Sequence, residues 1–237
     1  MLSDELIRKA KEYLPTDTAR QVTSGTKLLL VAGPAGSGKD AIIKELVKDP
    51  SYTYIVSHTT RQPRTGEVNG RDYYFIGLKE MEKMIDEQRF VEAEAIYGEY
   101  ISATSLAELK RIQEEGSIGV TDIDVYGVKT YIDLNSNTKA VFILPPSYEE
   151  WMRRLAERGS GEDQEALHRR LEDAQTWLEK ALSAGYFRFV INTDIKQASA
   201  DVRDYAESDR IQQGGADDTR LEHAWHVLGE LKQQLNS

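Results

Sequence analysis

The sequence predicts an α/β fold in which a parallel sheet carries helices on both faces and a small β-rich lobe is set into the chain. Short apolar runs suited to buried parallel strands, KLLLVA, SIGVTDI, KAVFIL and YFRFVIN, are separated by segments of helical periodicity. Strands that alternate with helices in this way form parallel sheets. The first run leads into a glycine-rich turn, GPAGSGKD over residues 33–40, and then into the helical pattern IIKELV, the order of a strand–loop–helix unit. Between Tyr52 and Thr104 the alternation lapses: TYIVSHTT, DYYFI, FVEAEAIY and EYISAT follow one another with LKEMEKMIDEQ the single helix among them. Such an insertion suits a lobe that holds a second substrate.

Before Lys27, the residues Leu6, Ile7, Ala10, Tyr13 and Leu14 give a short amphipathic helix ending at Pro15, and QVTSGT reads as a polar connector. Gly116 breaks a helix ahead of SIGVTDI, and Pro145 ends KAVFIL. Ser147 and Glu150 have the spacing of a capping box and open the helix YEEWMRRLAER. After Ser208 a loose linker, QQGGADD, precedes a helix with Leu221, Trp225, Leu228, Leu231 and Leu235 on one face. That stripe reads as a docking face for the main body or for a second subunit. The expected divisions are an N-terminal helical extension over 1–26, one domain over 27–207 with the β-rich lobe at about 52–104, and a linker and C-terminal helix over 208–237.

Charge and composition narrow the function. A chain of 237 residues with a net charge of −10 at pH 7 is poorly suited to non-specific nucleic-acid binding, which needs basic surface. No apolar run approaches the roughly 18 residues of a membrane helix, and MLSDELIRKAKEYL lacks the uninterrupted apolar core of a signal peptide. A cytoplasmic protein, monomer or homodimer, is expected. Cysteine is absent and the four histidines are scattered, so any metal would be held by oxygen. Arginines cluster instead, at Arg61, Arg64 and Arg71 and again at Arg153, Arg154, Arg158, Arg169 and Arg170. Two such clusters on an acidic chain suggest small phosphorylated ligands.

The turn after the first strand is the sharpest signal. Gly33, Ala35, Gly36, Ser37 and Gly38 let the backbone wrap so that successive amides point at a phosphate, the following helix adds its positive end, and Lys39 reaches the outer phosphates. A nucleoside triphosphate such as ATP is the expected ligand. Asp40 stands where a hydroxyl commonly follows the lysine. A carboxylate there tolerates phosphate only with a cation between them, so Asp40 is a candidate Mg²⁺ ligand. Asp122, at the end of SIGVTDI, is the second.

The stretch SHTTRQPRTGEVNGRDYYF, with FVEAEAIYGEY, TDIDVYG, VFILPPSYEEWMRRLAERG and FVINTD following in order, resembles the guanylate kinase family over about Lys27 to Ala206. The resemblance implies a P-loop kinase fold with a monophosphate-binding lobe, a lid at about 153–170, and transfer of the γ-phosphoryl of ATP to GMP with Mg²⁺. By position it implies that Arg61, Arg64 and Tyr73 hold the GMP phosphate and that Ser57, Glu92 and Asp124 read guanine. It further implies that Arg154, Arg158 and Arg170 close over the transferring phosphoryl beside Lys39, and that Asn192 contacts adenine. Guanidinium forks suit phosphate oxygens, and a carboxylate suits the guanine N1–H and amine.

The likeness is weakest where the family has Tyr-Tyr-Gly-Thr/Ser and this chain reads Tyr100-Ile101-Ser102-Ala103-Thr104. Aligned without a shift, Ile101 replaces a phosphate-binding tyrosine and Ala103 a base-contacting hydroxyl, each loss worth roughly 1–3 kcal/mol. A shifted strand would bring Ser102 or Thr104 into play. The ribose 1,5-bisphosphate kinases also carry GSGKD, which makes a sugar phosphate an alternative acceptor. A non-catalytic guanylate-kinase-like binding module is a further alternative, although the phosphate loop and the lid arginines are intact.

Overall fold

The computed structural model describes residues 2–158, 164–208 and 219–235. In chain order its elements are α1 (Asp4–Lys11), α2 (Asp17–Ser24), β1 (Leu28–Ala32), α3 (Lys39–Leu46), β2 (Tyr52–Tyr54), β3 (His58–Thr59), β4 (Tyr74–Phe75), α4 (Leu78–Asp86), β5 (Phe90–Ile96) and β6 (Tyr100–Ser105). There follow α5 (Leu106–Glu115), β7 (Ile118–Asp122), α6 (Val125–Leu134), β8 (Lys139–Leu144), α7 (Tyr148–Arg158), α8 (Gln164–Ala184), β9 (Phe187–Ile191), α9 (Ile195–Glu207) and α10 (Thr219–Leu235). The expected class holds: parallel strands flanked by helices, with a separate β-rich lobe.

The chain divides into two compact units. Met1–Leu28, Pro50–Thr121 and Lys129–Thr138 form the first; Leu29–Asp49, Asp122–Val128 and Lys139–Ser237 form the second. In the second unit β8 pairs in parallel with β1 on one side and β9 on the other, Leu30 opposite Ala140 and Phe142 opposite Phe189. Every residue of β1 is buried, which is why its sequence is unbroken apolar rather than alternating. Helices α8, α9 and α10 pack on β9, and Trp151, Leu155, Leu171, Ala174 and Leu231 form a cluster among α7, α8 and α10.

The first unit contains the parallel pair β2–β7 and a four-stranded sheet in the order β4-β3-β6-β5. One face of that sheet is covered by α1 and α4: Leu6, Ala10, Met81, Met84, Ile85, Phe90, Ile101 and Ala103 form a single buried cluster. A bulge sets which residues face the other way. Phe90 lies opposite Ser105 but Glu92 opposite Thr104, so two steps along β5 match one along β6. The extra residue reverses the alternation, sending Phe90 into the core and Glu92 to the opposite face with Glu94, Ser102 and Thr104.

Four local readings change. QVTSGT, expected as a polar connector, is largely helix, because Thr16 caps α2 through the Ala19 amide and the helix buries Ala19, Val22 and Thr23. Asn135 Nδ2 donates to the carbonyls of Thr23 and Thr26 at 3.0 and 3.2 Å, and the Tyr13 hydroxyl bonds both the carbonyl and the amide of Phe90, at 2.8 and 3.1 Å. The N-terminal segment is thus built into the first unit. TYIVSHTT is two strands, since β2 pairs with β7 whereas β3 joins the small sheet. DYYFI shrinks to the two residues of β4. On α10 the buried stripe is Ala224, Val227, Leu228 and Leu231, and Trp225 is 59% exposed. The small Ala224 turns the buried stripe away from the larger Trp225. The linker QQGGADD lies outside the described residues.

Candidate active site

In the second unit the phosphate loop is shaped by contacts to its backbone. Gly33 and Gly38 have φ of 139° and 96°, where a side chain is strained. Space forbids one too: a Cβ on Gly33 would stand 2.5 Å from the Ile143 carbonyl oxygen, and on Gly38 2.1 Å from Asn192 Nδ2. Two buried side chains brace the loop. Trp151 Nε1 donates to the Ala35 carbonyl at 2.7 Å and Asn192 Nδ2 to the Ser37 carbonyl at 2.8 Å. Lys39 Nζ donates to the carbonyls of Gly33 and Pro34 at 2.7 and 3.1 Å, which holds the ammonium over the cradle. Gly38 opens α3 with no side-chain cap, so no side chain competes with an anion for its first turn.

Asn192, expected to contact adenine, also braces the phosphate loop. Asn192 is only 2% exposed; its Nδ2 is held by the loop, whereas its Oδ1 has no hydrogen-bond partner among the described residues. Trp151, within the helix expected over YEEWMRRLAER, is the second brace. The side chain of Arg154 is about one-fifth exposed and donates to Glu150 Oε1 at 2.8 Å and to the Asn192 carbonyl at 3.3 Å. Glu150 accepts from both Arg153 and Arg154, and those two guanidinium groups hold its pKa down to about 2. The capping box is therefore half made: Ser147 Oγ accepts from the Glu150 amide at 3.1 Å, while the Glu150 carboxylate turns to the arginines. Arg170 is half-buried on α8. The Arg158 side chain, and residues 159–163 of the expected lid, lie outside the described residues.

Asp40 is exposed in the first turn of α3, and Asp122 ends β7 half-buried. Among the described residues no group of three or more His, Asp or Glu is placed to hold a metal. Two carboxylates fit an ion such as Mg²⁺, which takes much of its shell from phosphate and water. Asp124 Oδ1 accepts from the amides of Tyr126 and Gly127 at 2.7 and 2.9 Å, capping α6. The cap leaves its other oxygen out.

In the first unit Arg61 is already paired. Arg61 forks onto Glu67, with both nitrogen–oxygen distances at 2.7 Å, and its guanidinium lies 4.8 Å over the Tyr73 ring. Glu67 also accepts from the Arg64 backbone amide at 2.7 Å. Arg61 is the main reason its carboxyl is held down to about 2. Glu67 was not among the residues singled out, although it sits three residues beyond Arg64. It fixes Arg61 and the backbone of Arg64, whose own side chain is exposed.

The register of β6 corrects the expected losses. Ile101 and Ala103 are fully buried in the cluster beneath α1 and α4; they face away from Glu92. Ser102 and Thr104 share the face of Glu92 instead, and Thr104 Oγ1 lies 3.2 Å from Ser57 Oγ. Tyr100 is on that face as well, opposite Ile96. Burial pushes its phenol pKa up while Arg64 and Arg61 pull it back, which sets it near the arginines. Tyr100 and Thr104 thus place two hydroxyls on the face that carries Glu92.

Fold and geometry define a protein with a phosphate loop for one nucleotide and a lobe whose arginine–tyrosine end and carboxylate–hydroxyl end suit a second phosphorylated ligand. The guanylate kinase family model matches residues 25–209. Similar proteins include the guanylate kinases of Geobacter metallireducens (34% identity, covering 78% of this chain and 90% of the relative) and Symbiobacterium thermophilum (35%, 80% and 89%). That of Schizosaccharomyces pombe is 34% identical over 76% of this chain and 90% of its own. The crystal structure of guanylate kinase from Anaplasma phagocytophilum aligns with a TM-score of 0.62 at 22% identity, covering 86% of this chain and 97% of that one, a likeness of fold. The chain belongs to the guanylate kinase family.

Proposed function

We propose that the protein transfers the γ-phosphoryl of ATP to GMP or dGMP, giving ADP and GDP or dGDP. The observation that carries the reading is the face of β6, where Thr104, paired with Ser57 and opposite Glu92, stands four residues from Tyr100 in the field of Arg61 and Arg64. Four strand residues span roughly 13 Å, the scale of a mononucleotide laid base to phosphate. Glu92 accepts from the guanine N1–H and amine, and Thr104 donates to O6. Arg61, Arg64, Tyr73 and Tyr100 take the phosphate, and Asp124 lends its uncapped oxygen to the base.

On the donor side the braced loop wraps the β- and γ-phosphates and Lys39 leaves its carbonyl partners for them. Asp40 and Asp122 would hold Mg²⁺, which neutralises phosphate charge and orients the triphosphate. Arg154, with Arg158 and Arg170 of the proposed lid, stabilises charge on the transferring group, and no protein nucleophile is needed. Closure excludes water, which would otherwise take the phosphoryl group. The reading places the enzyme in the cytoplasm, as monomer or homodimer, with nucleotides as its partners.

The test is ADP release with ATP and Mg²⁺ across GMP, dGMP, AMP, UMP, CMP and ribose 1,5-bisphosphate. Saturable turnover with GMP and dGMP is expected. Turnover confined to the sugar phosphate, or none with any acceptor, would overturn the proposal.

A further inference from the structure

The bulge in β5 decides where Glu92 points. Phe90 and Glu92 are two residues apart, and in a regular strand they would face the same way, putting a carboxylate into the cluster beneath α1 and α4. A bulge disrupts the ladder locally, so its place along the strand needs a separate hold. β5 is the end strand of its sheet, and a side chain from outside the sheet supplies that hold. The Tyr13 hydroxyl donates to the Phe90 carbonyl at 2.8 Å and accepts from the Phe90 amide at 3.1 Å, which takes both backbone groups of the residue where the register shifts. The two rings pack edge to face with centroids 6.4 Å apart. Helix α1, which leads to Tyr13, is itself seated: Leu6 and Ala10 enter the cluster, and Lys9 Nζ donates to Glu82 and Asp86 of α4, each at 3.0 Å.

We propose that Tyr13 is a positioning residue for Glu92: it pins the bulge at residues 90–92 and so keeps the Glu92 carboxylate on the face that meets the acceptor base. Tyr13 precedes residues 25–209, the stretch that the family model matches, so the brace is supplied from outside the matched domain. One hydroxyl serves both groups of Phe90 because it has a proton to give and lone pairs to accept with. Without it the backbone at the shift bonds to water instead, and the shift is freer to move along β5. A shift displaced beyond Glu92 turns its carboxylate toward the cluster. The loss falls on the base edge. A carboxylate that accepts from the guanine N1–H and the exocyclic amine needs both oxygens in place, so a purine without that amine depends on it less.

This inference rests on GMP being the acceptor, and the experiment separates the two. Tyr13→Phe keeps the ring and deletes both bonds to Phe90. Amide hydrogen exchange at Phe90, measured without nucleotide, should quicken in the variant. The KM for GMP should rise about fivefold, and the KM for ATP should hold. The preference in kcat/KM for GMP over inosine 5′-monophosphate, which lacks the amine, should fall several-fold. Lys9→Met is the control, because it removes the ion pairs between α1 and α4 and leaves the Phe90 bonds in place; it should lower the melting temperature and keep the wild-type preference. An unchanged preference in Tyr13→Phe, unchanged exchange at Phe90, or an equal fall in preference in Lys9→Met would overturn the role of Tyr13 alone. A wild type inert toward GMP would overturn the acceptor assignment and this inference with it.

Discussion

The two units hold their ligand groups by opposite means. The phosphate loop presents backbone, and its shape is imposed from outside by the Ile143 carbonyl, Asn192 and Trp151. The lobe presents side chains, and these are held by one another: Arg61 by Glu67 and Thr104 by Ser57. A backbone site tolerates little change in its glycines but is indifferent to many neighbours. A side-chain site depends on register, because moving a strand by one residue presents a different set of groups.

The largest effect should come from the cationic side chain of the loop. Lys39→Ala should lower kcat by two or more orders of magnitude with GMP as acceptor, while circular dichroism and melting temperature stay near those of the wild type. Normal turnover would mean that loop backbone alone suffices.

Next comes the imposed shape. Gly38→Ala must take φ near 96° and crowd Asn192, so a loss of about 2 kcal/mol in unfolding free energy is expected. The double variant with Asn192→Ala removes the crowding but not the torsion, and should recover only part of the turnover. Full recovery would show that space, not torsion, governs the loop.

In the lobe, Glu67→Gln should raise the KM for GMP several-fold, because Arg61 loses its fork, with the KM for ATP unchanged. The pH dependence has a definite sign. The Glu67 carboxyl is held to about 2, below its ordinary 4.5, so the folded state favours the charged form. Its contribution to stability is complete above the unfolded pKa and is lost as pH falls toward 2. The gap in urea midpoint between wild type and Glu67→Gln should therefore narrow from pH 6 to pH 3; a gap that widened would contradict the pairing.

The same contrast explains what could be read in the sequence. The loop was legible because its glycines encode torsions and clearances that no other residue meets. The strands of the parallel sheet were legible because burial on both faces leaves unbroken apolar runs. Asn192 was noticed, but its bond to the loop was not, since nothing in FVINTD shows that its Nδ2 reaches back across the chain to Ser37. Ile101 and Ala103 were given ligand-facing roles because motif spacing carries no information on a bulge at residues 90–92. One signal was present: Ile101 and Ala103 are the apolar members of an alternating strand, and apolar alternation marks the core face. Trp225 failed for the reverse reason, since a large apolar residue drew the predicted stripe away from the face that small Ala224 allows to pack.

In the proposed function the acceptor meets the face of β6 that carries Thr104, not the face that carries Ala103. The direct test is the KM for GMP in Thr104→Val, a near-isosteric change, and in Ala103→Ser, which adds one hydroxyl. Thr104→Val should raise it about tenfold, the worth of one well-made hydrogen bond to the base, and Ala103→Ser should leave it unchanged. A KM unaffected by Thr104→Val but lowered by Ala103→Ser would contradict the register and the site built on it.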